Sequence, residues 1–428
     1  MANKKAFGLW SAVFLGIGSM VVSGIFVLLG EAGAIAGNLV WISFIFGGAT
    51  ALLSGYSLAK LASKFPSRGG IVEYLVQCYG EGIFSGSISI LFYISAIVAL
   101  AMVAKTFGTY AAMMSSFSSL HVNIFAIGIL VTFVLINLAG STFIAKSENA
   151  LVIIKLSIII LFTVIVSFYI HPSYLAFKEA PPLLNVFSAI ALTFFAYEGF
   201  RVITNTVEDM DNPSKTMMKA IIISIALVII LYVAVTFAVF GNLSVSEIIK
   251  AQDYALAEAA KAVFGQLGFT IMAIAALIST SSSINANLYA VTNVTYDMAK
   301  DGELPKVYER HVYHSVEGLL VSAIFIAILI IFFDLEEIAS IGAISMLFVH
   351  MIVHLGHLFK RKETGASTIL LILAIVTMAT AIIFAFQYTS KHIPDVGYFI
   401  AGAFFLAYGI EISLRIFAKR TIKKDSVV

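Results

Sequence analysis

The sequence predicts an all-α integral membrane protein of twelve transmembrane helices, and three observations carry that expectation. Of 428 residues, 60% are hydrophobic and 12% are Asp, Glu, Lys or Arg, with a mean hydropathy of +1.01. A soluble chain would be nearer half apolar and a quarter charged, because its surface has to face water. One crossing uses roughly 20 apolar residues, so this composition supplies about twelve of them. The apolar runs are also long and do not alternate, which suits helices and excludes barrel strands. Finally, all seven prolines (Pro66, Pro172, Pro181, Pro182, Pro213, Pro305 and Pro394) fall outside the runs or at their edges, so a break inside a helix must come from glycine or polar side chains. The net charge of +2 gives no reason to expect a nucleic-acid partner, and the single cysteine, Cys78, excludes an intramolecular disulfide or a Cys-based zinc site.

In chain order the crossings fall near 8–30, 38–62, 79–112, 121–141, 147–170, 185–206, 216–241, 264–298, 317–333, 338–359, 367–387 and 395–417. The basic start Met1–Lys5 runs straight into the first of these without a small-residue cleavage site, so it reads as a span and not a signal peptide. With both termini inside the cell, nineteen of the 26 Lys and Arg residues fall on inner loops and tails, Lys360, Arg361 and Lys362 among them. The outer loops hold only Lys178, Lys250, Lys261 and Lys391. That asymmetry predicts a multi-pass plasma-membrane protein with cytoplasmic termini. Lys105, Lys155 and Arg201 lie within spans, and Lys105, near the outer part of helix 3, is expected to snorkel outward.

Two helices carry breaks. Helix 1 gathers glycine and serine near its middle, in Gly16-Ile17-Gly18-Ser19-Met20-Val21-Val22-Ser23-Gly24-Ile25-Phe26, and an unwound turn is expected there. Helix 6 has Phe194-Phe195-Ala196-Tyr197-Glu198-Gly199-Phe200, where an ionisable Glu beside a Gly is costly unless it faces a polar cavity or stays protonated. Small-residue spacing alone more often serves helix packing. Helices 1 and 6, however, are corresponding members of two five-helix halves, and paired interruptions at corresponding places point to an inverted-repeat carrier with its site at the midplane. The halves are 1–170 and 171–362, followed by two helices and a tail over 363–428. Freed N–H groups at a half-helix N-terminus suit an anion and freed carbonyls suit a cation, so a zwitterion such as an α-amino acid matches both.

These runs, with Asn205, Glu208 and Asn212-Pro213 after helix 6, and Ser283-Ile284-Asn285-Ala286-Asn287 leading to Asp301-Gly302-Glu303-Leu304-Pro305, resemble the amino acid–polyamine–organocation permeases. The resemblance covers nearly the whole chain. It implies the leucine-transporter-like fold of five plus five inverted helices and two more, moving an amino acid or related small amine by alternating access. It further implies that the N–H groups of Ser23, Gly24 and Ile25 hold the substrate carboxylate and that the carbonyls of Met20, Phe195, Ala196 and Glu198 receive its ammonium. Tyr197 belongs to the same substrate-binding turn. Val22 departs from the glycine common in that family, and its β-branch narrows backbone freedom and fills space.

Lys155 lies about 12 Å deep in helix 5 at 1.5 Å per residue. It either snorkels to the interface or is a buried amine able to exchange protons. In proton-coupled members of the family a helix-5 lysine stands where sodium sits in relatives, and Asn149-Ala150-Leu151-Val152-Ile153-Ile154-Lys155 resembles their pattern. The run Ser279-Thr280-Ser281-Ser282-Ser283 in helix 8 would supply oxygens to sodium or hydrogen bonds to Lys155, with Ser282 and Ser283 assigned to coupling, or would simply bond its own helix carbonyls; a fixed cation at Lys155 would repel sodium. Protons are thus the expected coupling ion, without other cofactor or metal. Glu198 and Arg201, three apart, form an ion pair if the segment stays helical; otherwise Glu198 selects cationic substrates or takes a second proton. His350, His354 and His357 share one face of helix 10 and read as a polar stripe toward the inner mouth, since no carboxylate cluster in sequence supports a metal. Residues 244–263 form a short amphipathic outer helix with capping-box spacing between Ser244 and Glu247, either a lid or a connector. An uncoupled or exchange-type carrier of the same fold is the alternative, with a membrane metalloenzyme or a channel less well matched. The particular substrate and the oligomeric state stay open.

Overall fold

The computed structural model describes residues 8–67, 69–115, 121–139, 143–177, 180–210, 212–300, 302, 304–313 and 315–417, with 23, 143–151, 209 and 214 by backbone alone. Its first helical run comprises α1 (Leu9–Val21), a π-helical turn (Val22–Val27), α2 (Leu28–Ala36), a 3₁₀ turn (Gly37–Leu39) and α3 (Val40–Lys64). Then come α4 (Ile71–Tyr79), α5 (Ile83–Met114), α6 (Val122–Ala139), α7 (Phe143–Ser167), α8 (Leu183–Ser188) and α9 (Ile190–Tyr197), which passes into a 3₁₀ segment (Glu198–Asp209). The remaining helices are α10 (Pro213–Phe240), α11 (Val245–Lys250), α12 (Ala255–Lys300), α13 (Glu317–Phe332), α14 (Leu335–Thr364), α15 (Thr368–His392) and α16 (Val396–Phe417). A two-residue hairpin, His311–Val312 against Ser315–Val316, precedes α13.

Among the described residues, nine helical segments are long and apolar enough to cross a membrane, and Val152–Ser167 and Glu317–Phe332 are shorter apolar helices. One of the nine, Leu9–Lys64, has 56 residues. At 1.5 Å per residue a straight rod of that length would measure about 84 Å, against roughly 30 Å of hydrocarbon. It turns back at Gly37, where φ of 55° is a conformation that glycine adopts without steric cost.

Burial sorts the helices into a centre and a rim. The apolar windows of α5, α14 and the first run are 89%, 83% and 82% buried, whereas those of α6 and α16 are each 17% buried. The rim presents Ile124, Leu135, Ile230 and Phe405 outward, as lipid-facing helices do. Lipid tails are as apolar as leucine, so the centre is held by close van der Waals packing and not by exclusion of water. Gly47 and Gly48 on α3 show this: a Cβ on either would lie 2.4 Å from Thr193 Oγ1 or Ile229 Cγ1, letting α9 and α10 press onto α3.

Three features differ from the sequence expectations. The short helix α4 was not foreseen; it is isolated between Gly70 (φ 57°) and Gly80 (φ 81°). The outer segment 244–263 is two pieces, α11 and the start of α12, separated by a 3₁₀ turn over Gln252–Tyr254; Gly265 (φ 64°) then kinks α12. The expected capping box is formed, with the Ser244 N–H donating to Glu247 Oε2 at 2.8 Å. Lys105 does not snorkel to water. It is 7% exposed and donates to the carbonyls of Ile330 (3.2 Å) and Phe333, with Asp334 at 3.8 Å. The last carbonyls of α13 have no intrahelical donors, and a buried ammonium beside them satisfies both partners.

Candidate functional site

Both sequence-predicted breaks are irregular, but neither is an unwound strand. The helix-1 break is the π-turn Val22–Val27, with Val22 at φ −68°, ψ −55° and Val27 at φ −105°, ψ −56°. Glycine costs a helix up to about 1 kcal/mol, whereas each unpaired backbone group in lipid costs several, so a widened turn is the cheaper response. The helix-6 break is the change from α9 to 3₁₀ geometry at Glu198.

The two breaks touch. A Cβ on Gly199 would lie 2.5 Å from the Ser19 carbonyl carbon and 2.6 Å from Met20 N, so the backbones meet where only glycine fits. Tyr232, from α10, lies fully buried beside this contact. Its hydroxyl donates to Met20 O at 2.6 Å and reaches Ala196 O at 3.1 Å. A Cβ on Gly24 would fall 1.9 Å from the same hydroxyl oxygen. Tyr232 packs at a tilt against Tyr197, ring centroids 4.9 Å apart, and edge-on against Phe44; the Tyr197 hydroxyl donates to Phe44 O at 3.0 Å. Thus Met20, Gly24, Ala196 and Tyr197 converge on one side chain that the sequence reading missed. Inside the apolar run 216–241 a tyrosine reads as packing, and its role is visible only from the carbonyls it meets.

The other predicted residues fall around this centre. Ile25 is 2% exposed and Phe195 3% exposed, the latter with its ring edge against Gly342 of α14. The Ser23 backbone lies within the π-turn. Lys155, 5% exposed, donates from Nζ to Gly18 O at 3.3 Å, which ties α7 to α1 one turn before the break. Ser283 Oγ accepts from Asn287 Nδ2 at 3.0 Å along its own helix, and Ser282 is buried one residue away. Thr280 likewise returns its hydroxyl to Ala276 O. Asn149, quoted with Lys155, lies among the residues described by backbone alone.

Glu198 and Arg201 pair at 2.5 Å between Oε1 and Nε. Their 3₁₀ segment has three residues per turn, so side chains three apart eclipse and meet more directly than on an α-helix. The guanidinium also covers the Phe92 ring, 4.9 Å from its centroid. The other carboxylate oxygen, Oε2, lies 3.0 Å from His350 Nε2. The His350, His354 and His357 stripe faces Ser54 and Ser57 of α3, not water.

A family model described as amino acid permease matches residues 7–410. An uncharacterized protein of Methanocaldococcus jannaschii is 35% identical over 432 residues, spanning 100% of this chain and 99% of its own. The inner membrane transport protein YbaT of Escherichia coli is 32% identical, over 89% of this chain and 90% of its own. Among solved structures, a mutant manganese transporter of Eremococcus coleocola superposes with a TM-score of 0.61 across 95% of this chain and 93% of its own. At 11% identity that likeness is one of fold.

Proposed function

This chain belongs to the amino acid permease family, whose members are transporters and not enzymes, and we propose that it is a secondary active carrier of an α-amino acid or a related small amine, coupled to protons. In this reading its crossings number twelve, as two inverted five-helix halves followed by two further helices, and the protein works by alternating access. The observation that carries it is the meeting of two irregular helical segments through Gly199, with Met20 O and Ala196 O turned toward one hydroxyl. An ammonium has three donors against the single proton of Tyr232, so a substrate amine satisfies both carbonyls more fully. Substrate entry then means replacement of the Tyr232 hydroxyl at those carbonyls. The substrate carboxylate is assigned to the N–H groups of 23–25 at the widened turn, and Ile25 and Phe195 bound its side chain.

Lys155 is the proposed proton site. Its bond to Gly18 O fixes α1 against α7 while the amine is charged; deprotonation leaves a weaker donor and frees α1 to move. Counterflow into proteoliposomes tests the carrier: a radiolabelled mixture of the proteinogenic L-amino acids should exchange saturably against unlabelled mixture inside. A pH gradient of one unit stores about 1.4 kcal/mol, enough for about tenfold accumulation per proton carried. Lys155→Ala should lose that accumulation and keep counterflow. Unchanged accumulation in the variant excludes Lys155 as the coupling site.

A further inference from the structure

A file of groups runs from Glu198 to the end of α14 that carries Lys360–Lys362, hydrogen-bonded at every link but the first, and each side chain in it can both give and take a proton. Glu198 Oε2 lies 3.0 Å from His350 Nε2. His350 Nδ1 is 2.8 Å from Ser54 Oγ, which is 2.9 Å from His354 Nε2. His354 Nδ1 is 2.8 Å from Ser57 Oγ, which is 2.8 Å from His357 Nδ1. His357 Nε2 is 2.8 Å from Thr364 Oγ1, and Thr364 lines an open cleft of about 530 Å³ with Tyr56, Lys60, Ser63, Lys64 and Glu363. The three imidazoles and both serines are fully buried, so no water is needed between them.

Every bond in the file can be satisfied in two opposite directions with all three histidines neutral. In one, a protonated Glu198 donates to His350, and the bonds run in sequence down to Thr364, which accepts from His357. In the other, Glu198 is ionised, Thr364 donates to His357, and each link is reversed. The first arrangement holds one proton more than the second. A proton arriving at His357 Nε2 from the cleft displaces the Nδ1 proton onto Ser57. Ser57 passes its own proton to His354 Nδ1, and the same exchange through Ser54 delivers the Nε2 proton of His350 to Glu198. One proton enters, one carboxyl is protonated, and no other charge changes. A network serving only to fasten α3 to α14 has no need of this two-way symmetry.

We propose that the file is a proton path that loads and unloads Glu198 from the cleft, giving the molecule a protonatable site besides Lys155; its use in transport rests on the carrier reading above. Among the described residues the charges facing it are placed at its ends. Arg201 on the 3₁₀ segment pairs with Glu198 at one end, while Lys60 and Lys64 of α3 and the Lys360–Glu363 pair of α14 stand at the cleft. Phe194 and Phe200 flank His350, with ring centroids 5.4 Å and 6.1 Å away. At the final link, Glu198 Oε2 and His350 Nε2 are close, yet neither makes an aligned hydrogen bond. Alignment of the carboxyl with His350 completes the path, so movement of the helix-6 break would gate it. Chains of acidic and histidine side chains within spans are known to relay protons.

Difference infrared spectroscopy of the reconstituted protein after a pH step tests the path without a substrate. The carboxylic C=O band of Glu198 is assigned by its loss in Glu198→Gln. In the native protein the band should rise when pH falls. Ser57→Ala removes one relay and should slow that rise about fivefold or more, since a lost hydrogen-bonded link costs about 1 kcal/mol or more in the barrier. Ser57→Thr, which keeps the hydroxyl, should restore the rate. Ser54→Ala and His357→Asn interrupt other links and serve if Ser57→Ala does not fold. The proposal is overturned if Glu198 never protonates in the native protein or if the interrupted variants follow the pH step at the native rate. Counterflow in the same vesicles separates the two readings. Its loss with the band intact removes the carrier alone, and its retention with an unmoved band removes the path alone.

Discussion

Tyr232 offers one proton to two carbonyls, and these are the carbonyls to which the proposed substrate amine is assigned. Tyr232→Phe leaves Met20 O and Ala196 O without this donor in an interior where an unmade hydrogen bond costs about 1–3 kcal/mol. The variant should therefore melt at a lower temperature than the native protein. A substrate amine would supply the missing donors, so the amino acid mixture should raise its melting temperature more than it raises that of the native protein. Equal ligand shifts in the two proteins would mean that the amine does not bind at these carbonyls. Gly199 makes a different demand on the same place. A methyl group there must push into the Ser19 carbonyl carbon at 2.5 Å, which is backbone and has no rotamer to yield. Overpacking costs typically about 1–3 kcal/mol. Gly199→Ala should accordingly lower both thermal stability and counterflow, and a variant with native counterflow would show that the breaks do not move against each other.

At the scale of elements, the positions of the breaks were legible and their shapes were not. Glycine and serine near the middle of one span and a glutamate beside glycine in another locate both irregularities. Whether helix 1 unwinds or widens depends on how its backbone groups are satisfied. One of those partners, the Tyr232 hydroxyl, comes from a helix some two hundred residues later in the chain. The histidine stripe was visible as spacing on α14, but its meaning depends on Ser54 and Ser57, three apart on α3, being set in register against it. Local chemistry was easier to read, as the capping box at Ser244 and Glu247 shows. Hydrogen bonds from the Ser244 side chain and N–H hold the Glu247 carboxyl below the usual carboxylate range. A carboxyl with a depressed folded value contributes stability above its unfolded value and loses it as pH falls through the folded one. The protection of α11 amides, taken relative to their intrinsic exchange at each pH, should thus fall on acidification below the ordinary carboxylate range. Ser244→Ala should lower it already at neutral pH, by the about 0.5–2 kcal/mol that an N-cap is worth. Protection that does not change with pH would show that the segment is held by its buried Ile248 face alone.

At the scale of the whole molecule, the direction of the proton path depends on which way the chain sits in the membrane. The helix α15 joins the two faces: it follows Thr364 and Glu363 and ends at Lys391 and His392. Its 25 residues extend about 37 Å at 1.5 Å each, more than the roughly 30 Å hydrocarbon core, so Glu363 and Lys391 must lie on opposite sides. Lysines and arginines cluster at Lys360, Arg361 and Lys362, while Lys391 stands apart, and excess positive charge is retained in the cytoplasm. The charge asymmetry predicts that the cleft beside Thr364 is the cytoplasmic mouth and that α11 with the start of α12 lies on the outer face. Since Cys78 is the single native cysteine, a Cys78→Ser background leaves introduced thiols unambiguous. In intact cells a membrane-impermeant maleimide should label Lys391→Cys directly, and should label Glu363→Cys only after permeabilisation; both positions are exposed enough to react. The reverse pattern would turn the molecule over, so that the path would draw protons from outside and the loading of Glu198 would follow the external pH.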